Sequence, residues 1–208
     1  MKDAVRRTRL SRAEQHEMTR QRLLEAAEIV IVRVGYAGAS IDLIAGEAGF
    51  SRGAVYSNFT NKEAIFSEVL RVHMERENVE LAAIVGGRPE HSWQQLKTWL
   101  GHTFLCGDRP LLRTELQLHA TRNPQFAKQY LALHRKQMQA LGQLVRPIIT
   151  SSSTSAEAEH DLLAEALIAV ALGLRLQRPT ASQRPGIEVT STVERLCKTL
   201  IPSLRDLR

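Results

Sequence analysis

The sequence predicts an all-α fold: a small N-terminal helix-turn-helix domain followed by a larger all-helical domain. Three observations predict it. Apolar residues recur at helical spacing almost throughout the 208 residues, with no sustained period-two alternation. The 12 glycines and 7 prolines are not clustered as a chain of many tight β-turns requires. Short helical patterns are punctuated by N-cap residues and glycine stops. A composition of 43% hydrophobic and 24% charged residues is that of a folded chain with its own core.

The elements follow in order. Residues 1–16 form a basic arm, in which Lys2, Arg6, Arg7, Arg9 and Arg12 are set against Asp3 alone over the first dozen positions. The arm alternates charges and has no apolar run, so it does not read as a signal peptide. A long helix is expected over about 19–34, with Leu23, Ala27, Val30 and Val34 on one face and Gly35 as its stop. Ser40 can cap a short helix over about 41–48, whose apolar positions Ile41, Ile44, Ala45 and Ala48 share a face, and Gly49 stops it. Ser51 caps the next, over about 52–59, with Phe50 and Val55 placed as a hydrophobic staple. Asn61 caps a longer helix that ends before Gly86-Gly87-Arg88-Pro89. Further helices are expected over about 92–106, 110–121, 124–145 and 156–177, the last after a Ser/Thr loop at 151–155. A Pro- and Gly-bearing connection at 179–186 leads to a final helix ending near Pro202.

A net charge of +6 and a pI near 9.7 point to an anionic partner. Bulk charge does not place that partner, because residues 1–76 carry 12 Lys/Arg against 10 Asp/Glu. Affinity for a polyanion must therefore come from placed residues and from the arm. Two cysteines, Cys106 and Cys197, cannot make a disulfide scaffold and suit a reducing compartment. The most apolar run, 162–176, carries Glu165 and Arg175 and is too short to cross a bilayer. A cytoplasmic location with no membrane partner is expected. His102 and Cys106, four apart, could be one edge of a metal site, but two ligands do not fill one. No Gly-rich phosphate loop is present, and the spacing of His, Ser and Asp selects no triad. No metal, cofactor or enzymatic activity is expected.

Two short capped helices joined by a glycine turn, with small residues at their crossing, are what a helix-turn-helix needs. Gly53 and Ala54 at the start of the second helix let its backbone approach a groove closely. Arg52, Tyr56, Ser57 and Asn58 supply donors beside them, while Val55 and Phe59 share the buried face. Lys62 lies in the first turn of the following helix, where free N–H groups already favour a phosphate.

Gly35-Tyr36, Ser40, Ile44-Ala45, Ala48-Gly49, the run from Ser51 to Phe59 and Lys62-Glu63-Ala64-Ile65-Phe66 together resemble the DNA-binding domain of the TetR family of bacterial transcriptional regulators. The resemblance covers about 17–77, with the helix-turn-helix at about 40–59. It implies a three-helix reader, a divergent C-terminal helical domain over 78–208 that binds a ligand and dimerises, and a homodimer that leaves its operator when a small molecule binds. Carried over by position, Ser40, Tyr56 and Lys62 resemble phosphate contacts. Ser51, Arg52, Gly53 and Ala54 resemble the groove-facing start of the recognition helix. Ala39 stands where the family often has Thr, and Asn58, a further DNA-contact candidate, stands where Tyr-x-His-Phe has His.

In the second half, Trp99, Phe104, Leu116, His119, Tyr130, His134 and Met138 are candidates to line a ligand cavity, a set that favours a hydrophobic or aromatic effector. The helix over 162–176 is apolar on every side apart from Glu165 and Arg175, so more than the chain's own core must cover it. Ala166, Ala169, Val170 and Gly173, with Val193, Leu196 and Leu200 on the last helix, are therefore expected to form a homodimer interface. The reading is a ligand-responsive regulator, most simply a repressor, whose partners are a near-palindromic double-stranded DNA operator, a second copy of itself and a small-molecule effector. The alternative is a ligand-independent architectural DNA-binding protein.

Overall fold

The computed structural model describes residues 11–87, 89–105, 107–149, 157–177 and 195. Among these there are eight α-helices and one π-turn and no strand: α1 (Arg12–Gly38), α2 (Ile41–Ala48), α3 (Arg52–Asn58), α4 (Lys62–Val85), α5 (Pro89–Leu100), the π-turn (Gly101–Leu105), α6 (Arg109–Arg122), α7 (Pro124–Ile149) and α8 (Glu157–Gln177). Of the predicted final helix only Arg195 is described, and it is helical. The chain divides into two compact units between Val69 and Leu70. That division falls inside α4, so no loop marks it. None of the described helices is long and apolar enough to cross a membrane.

In the first unit, α1 packs against α2 and α3, and α2 against α3. Leu23, Leu24, Ala27, Val30 and Ile31 of α1 meet a core that includes Ile44, Ala45, Val55, Phe59, Ile65 and Phe66, all nearly or fully buried. Helix α1 begins earlier than the sequence predicts, so positions 12–16 of the expected arm are helical. The cause is local. Ser11 accepts from the Glu14 N–H while Glu14 reaches back to the Ser11 N–H, a complete capping box. At the other end Gly35 has φ 70° and ψ 173°, a conformation closed to residues with a Cβ. It breaks the regular helix, and one further turn leads to Ala39, whose N–H returns to the Gly35 carbonyl.

In the second unit, α7 packs against both α6 and α8, and the π-turn packs against α6 and α8. Its apolar core joins Leu81 of α4, Leu96, Trp99 and Leu100 of α5, Phe104 of the π-turn, Met138, Leu141 and Leu144 of α7, and Ala164, Leu167, Ile168 and Ala171 of α8. The single helix expected over 92–106 is instead an α-helix that widens into a π-turn at Gly101. Helix α7 continues past the predicted end, through Pro147 to Ile149. Cys106, and with it any His102–Cys106 pair, lies outside the described residues.

Candidate nucleic-acid interface

Helices α2 and α3 are joined by a turn whose geometry is set by Gly49. At φ 70° and ψ 28° it sits in the left-handed region. Its N–H bonds to the Gly46 carbonyl and the Phe50 N–H to the Ala45 carbonyl, the two bonds of a Schellman ending. Ser40 and Ser51 then start the two helices, their hydroxyl oxygens accepting from the N–H groups of Leu43 and Ala54 at 3.2 Å each. Both keep an O–H proton to donate elsewhere.

On α3, Val55 and Phe59 face the core while Ser51, Arg52, Gly53, Tyr56 and Ser57 are exposed and Ala54 is half-buried. Tyr56 is half exposed, on the side opposite Val55. Arg52 is held from α2: its Nε lies 3.1 Å from Asp42 Oδ1 and one terminal nitrogen 3.3 Å from Asp42 Oδ2. The Tyr56 hydroxyl first and the Asp42 carboxylate second raise the guanidinium's pKa above its ordinary value. Asp42 carries no local signal in the sequence, since it meets Arg52 only through the turn.

Two further expected DNA contacts also have partners within the chain. Asn58 Nδ2 donates to the Ala54 carbonyl at 2.8 Å, and its buried Oδ1 has no hydrogen-bond partner. Lys62 Nζ donates to the carbonyls of Tyr36 (2.8 Å) and Ala39 (3.0 Å) and lies 4.2 Å from the centre of the Tyr36 ring. An ammonium has three donors, so one remains. Burial pulls the Lys62 pKa down, against the opposing influence of Glu63. Tyr36 in turn donates its hydroxyl to Glu63 at 2.7 Å and packs edge-on against Phe66, and its pKa is pushed up to about 12 by burial and by that carboxylate. Ala39 is buried, so the position is part of the core.

Arg20 is a further structural residue that the periodicity of α1 does not reveal. Its guanidinium lies over the Phe59 ring at 4.4 Å, donates to the Asn58 carbonyl at the end of α3 and pairs with Glu68 at 2.9 Å. A cation at the carbonyl end of a short helix is favoured by the helix dipole. Arg20 thereby fixes α3 at its far end while Arg33, 2.8 Å from Glu47, ties α1 to α2.

Comparison with known proteins agrees with this geometry. The model of the bacterial regulatory proteins of the tetR family matches residues 23–69. The regulator SrpR of Pseudomonas putida is 37% identical over 82 residues, 39% of this chain and 38% of SrpR. The repressor AcnR of Corynebacterium diphtheriae is 30% identical over 129 residues, 50% of this chain and 68% of AcnR. The chain belongs to the TetR family. That family is one of bacterial regulatory proteins, the match falls on the helix-turn-helix segment, and members of this family are not enzymes. The chain spans little more than a third of SrpR's length. A transcriptional regulator of Saccharomonospora viridis, solved in complex with choline, shares the TetR fold with a TM-score of 0.71 and 21% identity, over 88% of this chain and 96% of that one.

Beyond the helix-turn-helix unit, the second unit's interior is where the sequence was least informative. Of the seven expected cavity residues, Trp99, Phe104, Leu116, His119, Tyr130 and Met138 are buried and His134 is half-buried. Only Trp99 borders the open cleft of about 370 Å³ between α4 and α5, whose walls include Glu80, Ile84, Gln95, Thr98 and His102. Phe104, Tyr130 and His134 lie near a buried charged network that periodicity did not anticipate. Arg113 donates to Glu77 at 2.6 Å and to Gln137 Oε1, while Gln137 Nε2 donates to the same Glu77 oxygen at 2.7 Å. His73 Nε2 stands 3.0 Å from the other Glu77 oxygen. The Phe104 ring, presented by the π-turn, lies 4.8 Å from the Arg113 guanidinium. Burial raises the Glu77 pKa, and Arg113, His73 and Gln137 more than reverse it, leaving it at about 2. Burial also lowers the pKa of His134 and raises that of Tyr130, which stack at 5.7 Å.

Helix α8 has two dissimilar sides. Ala164, Leu167, Ile168, Ala171 and Arg175 are buried, whereas Leu162 (66% exposed), Leu176 (49%), Ala166 and Ala169 face outward beside one charge, Glu165. Val170 and Gly173 are half-buried, and Val193, Leu196 and Leu200 lie outside the described residues.

Proposed function

We propose that this regulator is a repressor that binds a near-palindromic operator as a homodimer and is released by a small hydrophobic or aromatic effector. The observation that carries the reading is the outward apolar side of α8. A face of Leu162, Ala166, Ala169 and Leu176 on a helix whose other side is already buried needs a second surface, and a second copy of the chain supplies an identical one. Two copies bring two readers, in which Ser51, Arg52, Gly53 and Ala54 form the groove-facing start of the recognition helix and Ser40, Tyr56 and the third donor of Lys62 meet phosphate. Asn58 acts through the end of α3 rather than as a free donor. The cleft beside Trp99 gives an effector an apolar wall with amide and hydroxyl groups around it. A structural neighbour's complex with choline supports a small-molecule response in this fold. No metal or cofactor enters the proposal, and the cytoplasm is the compartment it requires.

Selection of binding sites from random duplexes by the purified protein tests it. The expected result is an inverted repeat, protected by a dimer, whose occupancy falls when an aromatic or hydrophobic compound library is titrated in. A pool without any consensus, with binding unchanged across the library, supports an architectural protein and overturns the proposal.

A further inference from the structure

We propose that Asp42 positions Arg52 for base reading: the α2 carboxylate holds one edge of the guanidinium, so that the recognition helix presents the remaining N–H donors, already oriented, to a guanine. The inference rests on the reading of α3 as the base-reading helix. A guanidinium carries five N–H donors in a planar fork. Asp42 meets the guanidinium across the turn that joins α2 to α3: one terminal nitrogen donates to Oδ2 at 3.3 Å, and Nε lies 3.1 Å from Oδ1. That leaves other N–H groups of the fork to reach the O6 and N7 acceptors of a guanine in the major groove.

Two features argue for orientation rather than stability. Both side chains are about 60% exposed, 61% for Arg52 and 60% for Asp42, and ion pairs that open to water add little to folding. A carboxylate beside the reader also repels phosphate, so it lowers general affinity for DNA. A negative charge in that place favours the N-terminus of α2, and against phosphate it is useful where it gains discrimination. Arg52 is the first residue of α3 and Asp42 is in the first turn of α2, both on backbone fixed by serine caps, so the pair is built on rigid elements.

Binding-site selection with wild type, Arg52→Ala, Asp42→Ala and the double variant tests the proposal, alongside titrations of the selected operator and of random duplex. Arg52→Ala is expected to lose a preference at one base pair in each half-site, with discrimination there falling roughly 5- to 150-fold. Asp42→Ala should relax the same base pair while binding random duplex as well as, or better than, wild type. The double variant should be no more relaxed than Arg52→Ala. Arg52→Ala with an unchanged consensus, or with equal losses on all sequences, shows that Arg52 does not read a base. An altered Arg52→Ala consensus beside an unaltered Asp42→Ala one leaves the reader intact and overturns the positioning role. Thermal unfolding accompanies each variant, and should Asp42→Ala unfold, Asp42→Asn is used in its place, since it keeps an acceptor but loses the charge and one carboxylate oxygen. Its consensus must relax at that base pair too, and a wild-type consensus overturns the proposal.

Discussion

Gly53 occupies the second position of α3, where nothing in the chain itself asks for glycine. A Cβ built there meets only Ser51 Oγ, at 3.6 Å, which is ordinary contact, and the backbone is not left-handed. Glycine in a helix costs roughly 0.5–1 kcal/mol relative to alanine. The residue is exposed, so the reason for its small size lies outside the chain. Gly53→Ala is expected to raise stability by a few tenths to about 1 kcal/mol while weakening operator binding, because the added methyl stands between backbone and groove. Denaturant unfolding and an operator titration on the same preparation check the two signs; improved stability with unchanged affinity removes Gly53 from the interface. At this scale the sequence was legible wherever a residue acts on its own backbone. Ser40, Gly49 and Ser51 announce their caps and stop through identity and spacing alone. Asp42, Lys62 and Arg20 were not legible in the same way. Their partners are Arg52, the carbonyls of Tyr36 and Ala39, and the ring of Phe59, which come near only after the helices have packed.

Helices α4, α6 and α7 are joined by charge as well as by apolar packing. Glu77, Arg113 and Gln137 are all almost fully buried, and they hydrogen-bond to one another. A buried pair of this kind is hard to justify as a source of net stability, but breaking one side of it is costly, about 3–5 kcal/mol, because an uncompensated charge is left inside. Glu77→Ala should therefore destabilise the protein far more than an exposed truncation such as Glu25→Ala. The pH dependence has a definite sign. The folded pKa of Glu77, about 2, lies below its ordinary 4.5, so its contribution is complete above about 4.5 and is lost as pH falls towards 2. Unfolding measured across that interval should steepen in wild type relative to Glu77→Gln; parallel curves would show that the carboxylate carries no such linkage. The periodicity of these helices was readable, since apolar spacing needs only one strip of sequence. Their joining network was not, because it links residues 36 and 60 positions apart along the chain. The π-turn was missed for a related reason: an extra residue in one turn hardly disturbs the apolar pattern, although it is what presents Phe104 to Arg113.

Occupancy of a two-half-site operator depends on the number of readers that one particle carries. Linking two binding events can raise avidity by about 10² to 10⁴ without a new contact. The second copy is expected on the outward side of α8, where Ala169 is exposed between Leu162 and Leu176. Two such faces packed against each other would bury apolar surface at roughly 25 cal/mol per Å², and small residues at Ala166, Ala169 and Gly173 let helices approach closely. Ala169→Arg puts a long cation at the centre of that contact, where it must either be buried unpaired or hold the chains apart. Because the position faces outward in the single chain, the fold should survive while the assembly does not. Sedimentation is expected to show a folded monomer, and operator affinity should drop by the avidity factor, leaving the weaker binding of one half-site unchanged. A folded variant that still sediments as a dimer places the interface elsewhere. A folded monomer with undiminished operator affinity removes the need for two coupled readers, and with it the requirement that the operator be a palindrome.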